Sequence, residues 1–178
     1  MLQRWSHAGS AMTTSKIHAF FAQRQQQISL PVRLYALVDG LLFSSAGEAS
    51  PLARSNGSIA LFDGTPDASL ADAGPWLIDY EIAHPQIRAS LAAHAAGATG
   101  VSWLVSAYSF EALAGELRDR LDVRLPDGRV ALLRFYDARV MPDMAKLFEL
   151  TQRVQFFSST YDWLVETNGQ LTGVHPHA

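Results

Sequence analysis

Six consecutive residues, Arg134-Phe135-Tyr136-Asp137-Ala138-Arg139, carry two guanidiniums, a phenol and a carboxylate. Arginine makes planar, bidentate contacts, and together with aromatic neighbours it anchors protein interfaces. The corner has two readings. In one, Arg134 and Asp137 satisfy each other, or cap the helix that opens at Pro142, and lock the preceding hairpin to the core. In the other, Arg134, Tyr136, Asp137 and Arg139 form a patch that clamps a partner. Strand alternation puts Arg134 and Tyr136 on one face and Asp137 on the other, so one motif can serve both ends.

The remaining candidates carry less chemistry. Asp39-Gly40 and Asp63-Gly64-Thr65 invite comparison with phosphatases of the haloacid dehalogenase type. Those enzymes need a second Asp two residues after the nucleophile, and here Leu41 and Thr65 stand there. Asp at a strand end before Gly reads as a turn. Histidines at 7, 18, 84, 94, 175 and 177 show no ligand spacing, so no metal site and no cofactor are expected. No Gly-x-Gly-x-x-Gly, phosphate loop or Gly-x-Ser-x-Gly elbow is present.

The elements that must position the corner are legible around it. Ser109 caps a helix with Phe110, Leu113, Ala114, Leu117 and Leu121 on one stripe. Val123 and Leu125 alternate with Asp122 and Arg124, Pro126-Asp127-Gly128 turns the chain, and Val130 to Tyr136 returns as the partner strand. Pro142 opens a helix through Met144, Leu147, Phe148 and Thr151.

Upstream, Thr13, Thr14 or Ser15 caps a helix to about Gln27, with Ile17, Phe20, Phe21 and Ile28 on one face. Strands are expected at 34–38, 59–62, 76–80 and 101–105, and residues 44–58 form a surface connection. Ala68 to Ala73 makes one helical turn, and Ile87 to Ala95 a helix ending at Gly97. Asn168-Gly169 joins 163–167 to 170–172 as a hairpin. This sums to an α/β (α+β) domain, a mixed sheet with packed helices and antiparallel hairpins. It spans 13–172, between a loose leader at 1–12 and a frayed tail at 173–178. Trp76 and Trp103 belong to the core.

With 178 residues the chain can build one domain with a sizeable core. Charged residues make up only 17% against 48% hydrophobic, a balance that leaves apolar surface for partners. A net charge of −3, with lysine only at 16 and 146, leaves no footprint for nucleic acid. Zero cysteines excludes disulfides and thiolate chemistry and fits a reducing cytoplasm. No signal peptide and no membrane span is read.

Leu37-Val38-Asp39, Leu61-Phe62-Asp63-Gly64-Thr65, Gly74-Pro75-Trp76-Leu77 and the run from Leu117 to Met141 occur in an order that resembles one family. It is that of the adaptor or chaperone proteins of the bacterial type VI secretion system, over about residues 33 to 165. The last run, with Val123-x-Leu125-Pro126-Asp127-Gly128 and Arg134-Phe135-Tyr136-Asp137, is the specific one. Ala138 departs from the family's Pro. The resemblance implies a cytoplasmic, cofactor-free, non-enzymatic protein that binds a toxic effector and helps load it onto the spike protein. Many relatives continue into a mostly helical C-terminal lobe. The competing expectation is a small hydrolase or transferase with a dispersed site.

Overall fold

Arg33 to Asp39 holds no charged residue between its ends, and it forms the central strand β1 (Arg33–Asp39) of the sheet. The computed structural model describes residues 15–45, 51–97 and 100–174. The expected leader, the caps at Thr13 and Thr14, and the last four tail residues lie outside these. β1 pairs on one side with β3 (Pro75–Asp79) and on the other with β4 (Val101–Ser106). β2 (Ser58–Ala60) extends the β3 edge, while β7 (Asp162–Thr167) and β8 (Gln170–Gly173) extend the β4 edge. The order is β2-β3-β1-β4-β7-β8, and each pairing is antiparallel. A separate short hairpin, β5 (Asp122–Arg124) and β6 (Val130–Leu132), turns at Gly128 with φ +84°.

β3 and β4 are buried along their whole length and β1 everywhere but Arg33, so both sheet faces must be covered. Cross-strand partners share a face. Tyr35↔Asp79, Tyr35↔Leu104 and Leu104↔Trp163 therefore put four residues on one face. There Tyr35 lies 6.4 Å from Phe110 of α4 (Phe110–Asp119), ring centroid to ring centroid. Trp163 lies 5.7 and 5.6 Å from Phe156 and Phe157 of α6 (Leu150–Phe157). The opposite face carries Trp103, whose ring is 5.1 Å from Tyr80. Tyr80 in turn meets His18 of α1 (Lys16–Gln27) at 5.2 Å. Arg24 Nε donates to Asp162 Oδ2 at 2.8 Å and ties α1 to β7. α3 (Pro85–Ala96) packs against β4 and β7. The α+β fold expected from the sequence is the one observed, with Trp76 and Trp103 in the core.

Several boundaries differ from those expected. Gly40 opens a short helix, α2 (Gly40–Ser45), because Asp39 caps it: the Leu42 N–H donates to Asp39 Oδ1 at 3.1 Å. The strand expected to reach Tyr136 stops at Leu132, where Leu133 N–H donates to Leu121 O and the chain turns inward. The helix expected from Pro142 to Thr151 is two, α5 (Met141–Leu147) and α6. Phe148 is extended between them, and Glu149 and Gln152 start α6 with a reciprocal capping box. The tail is held further than expected, since Gly173 closes β8 and Val174 N–H donates to Trp163 O at 2.8 Å.

Candidate functional site

The corner is built on Phe135, which is fully buried. Its ring stands edge-on to Phe156 at 5.5 Å, Trp163 at 5.9 Å and Tyr136 at 6.0 Å. Tyr136 is edge-on to Phe62 at 6.3 Å. Backbone turns fix the rest: Asp137 N–H donates to Arg134 O, and Val140 and Met141 N–H both donate to Asp137 O, which launches α5. The alternation expected for 134–137 is absent because this segment is turn, not strand.

Two carboxylates are buried here, Asp39 and Asp137, each only 1% exposed. Arg134 bridges them, with Nη2 at 3.2 Å from Asp39 Oδ2 and 3.6 Å from Asp137 Oδ2. Arg139 chelates Asp137: Nη2 donates to Oδ2 at 2.8 Å, while Nε and the backbone N–H both donate to Oδ1 at 3.0 Å. The Arg139 guanidinium holds the Asp137 carboxyl below its ordinary range, outweighing the opposing effect of burial, and the Arg139 group is raised in return. Arg134 also lies over the Tyr136 ring at 5.8 Å, a cation–π contact. Burial is the main reason the Tyr136 phenol is raised.

The four residues expected to meet a partner thus divide. Tyr136 and Asp137 are buried and act from beneath, whereas Arg134 and Arg139 present side chains that are 52% and 54% exposed. The ion pairs match the first reading, in which the corner locks the fold, and the guanidiniums that the carboxylates orient face solvent. Asp39 is the member that sequence reasoning missed as part of this cluster. Its signal was present as an Asp at a strand end before Gly-Leu-Leu, an N-cap position and not only a turn.

A second arginine cluster lies at the β2–β3 edge. Arg54 Nε and Nη2 donate to Asp63 Oδ2 and Oδ1 at 2.7 Å, Nη1 donates to Asp72 at 2.9 Å, and the guanidinium lies 5.1 Å from the Trp76 ring. Asp63, considered above as a nucleophile, is therefore the partner of Arg54, which holds its carboxyl below the ordinary range.

A general base near neutral pH needs a raised carboxyl pKa, and Asp137 is shifted the other way. Among the described residues no three His, Asp or Glu side chains converge as a metal cradle, and no helix is long and apolar enough to cross a membrane.

A family model described as a domain of unknown function, DUF4123, matches residues 34–155. The chain belongs to the DUF4123 family. The match spans β1 through most of α6, so it contains Asp39, Arg54 and the whole corner. No curated protein and no solved structure matches the chain.

Proposed function

We propose that this DUF4123 protein is a non-enzymatic adaptor or chaperone. It acts in the cytoplasm, binding a toxic effector and helping to load it onto the spike protein of a type VI secretion apparatus. The sequence resemblance supplies the two partners. The observation that carries the reading is the corner: two half-exposed guanidiniums aimed outward by buried carboxylates, a geometry made in advance of binding. Preorganised arginines lose little conformational freedom on docking, which is what makes arginine a frequent interface anchor.

Exposed apolar side chains on the helices that follow the corner support the same reading. Val140 follows Arg139 directly and is exposed, and Leu147 and Leu150 are 82% and 73% exposed at the α5–α6 junction. Single exposed leucines are ordinary on a surface, but two on the helix pair that follows the arginines suit a protein partner.

The test uses Arg134→Gln and Arg139→Gln, each assayed for effector capture well below its own melting temperature. An anchor of this kind loses about thirtyfold in affinity on truncation. Capture unchanged in both variants would place the binding face elsewhere.

A further inference from the structure

A cleft of about 470 Å³ opens between the C-terminal end of α4, the β5–β6 hairpin and α6. Its apolar wall is Val123, Leu133, Phe148 and Phe156, with the two phenylalanine rings 5.0 Å apart. Arg120 borders it but is already committed. Its Nε donates to Phe156 O at 2.9 Å, and Nη1 donates both to Glu116 O and, at 2.9 Å, to Glu116 Oε2. Its guanidinium also lies 5.9 Å from the Phe156 ring. Arg120 therefore builds the wall and neutralises Glu116.

The other two acids on the rim are different. Asp119 and Asp122 are exposed and make no ion pair among the described residues. Leu132, the register partner of Asp122 across the hairpin, is exposed on the same face. The cleft thus combines an aromatic wall with two acids that make no ion pair among the described residues, and Leu132 lies across the hairpin from one of them. Its complement is an apolar anchor followed closely by a cation. The carboxylates sit on an exposed rim, where a long Lys or Arg side chain can reach them while its backbone stays outside.

We propose that this cleft seats a segment of a partner protein, with an apolar side chain against Phe148 and Phe156 and a Lys or Arg across Asp119 and Asp122. The inference deepens the adaptor reading, on which it rests for the partner being a protein. It gives the domain a second contact of opposite polarity: guanidiniums at the corner, carboxylates at the cleft. One domain could then hold two partners, or two segments of one, without confusing them.

The experiment titrates the full chain with two synthetic amphipathic helical peptides that share their leucines, one bearing lysines and the other glutamates. Backbone amide shifts report the site. The lysine peptide is expected to shift amides of α4, the hairpin and α6, and to bind about tenfold or more tightly than the glutamate peptide. Asp119→Asn with Asp122→Asn, both exposed, is expected to remove most of that difference while leaving the melting temperature unchanged. Equal binding of the two peptides, shifts confined to other surfaces, or self-association through this face without peptide would overturn the proposal. A parallel capture assay with the effector separates the two readings. A double variant that captures the effector as wild type does sinks the cleft and leaves the adaptor, whereas a wild-type chain that captures neither effector nor spike protein sinks the adaptor.

Discussion

Replacing Asp39 tests the corner at its least obvious member. The side chain does two jobs: Oδ1 accepts the Leu42 N–H at 3.1 Å and caps α2, and Oδ2 accepts Arg134 at 3.2 Å. Asn can keep the first and loses the charge needed for the second; Ala loses both. Arg134 is half exposed, so water takes up part of the lost pairing, and Asp39→Asn should cost about 1 kcal/mol. Asp39→Ala adds a lost N-cap, roughly another 1 kcal/mol, for about 2 kcal/mol in all. For a chain of this size each kcal/mol lowers the melting temperature by about 2–4 °C. Differential scanning calorimetry should therefore order the three proteins as wild type, Asn, Ala, with a gap at each step. Asn and Ala melting together would show that the cap carries no stability. Both melting with wild type would refute the claim that Asp39 anchors the corner.

Two further substitutions probe the same region. The Asp137 carboxyl is lowered in the folded state, so its stabilisation is complete above its unfolded pKa of about 4 and is lost as pH falls through the lower native value. Between pH 4 and pH 2 wild type should thus lose more melting temperature than Asp137→Asn, and parallel curves would show that the Asp137–Arg139 pair contributes nothing. Gly40 is packed so closely that an added Cβ would stand 2.5 Å from Asp72 O and 2.8 Å from Gly74 O, both backbone atoms. Gly40→Ala should destabilise by about 1–3 kcal/mol in denaturant titration, and a neutral result would mean the start of α2 shifts easily.

The strands were readable because the central ones are short apolar runs bounded by Asp, Gly or Pro, and both sheet faces had to be filled. The Asn168-Gly169 turn was readable for another reason: its φ values of +50° and +71° are those a two-residue hairpin loop demands. What sequence could not give was where long-range partners cut elements short. Residues 133–136 have strand-like composition, yet Phe135 is drawn under Phe156 and Trp163 and the pairing ends. The break at Phe148 was hidden because Pro142 and the leucines fit one continuous helix equally well; the Glu149-x-x-Gln152 box was the signal to read. In the corner the residue types were evident, but the sorting into buried carboxylates and exposed guanidiniums depends on Asp39, which is 95 residues from Arg134 in sequence.

The role proposed for the chain is to join an effector to the spike protein. The most direct measurement mixes the purified chain with the effector and the spike protein of its own apparatus, and sizes the products by chromatography with light scattering. A three-component species that needs the chain to form is the predicted result. Effector and spike protein that ignore the chain, singly and together, would contradict it.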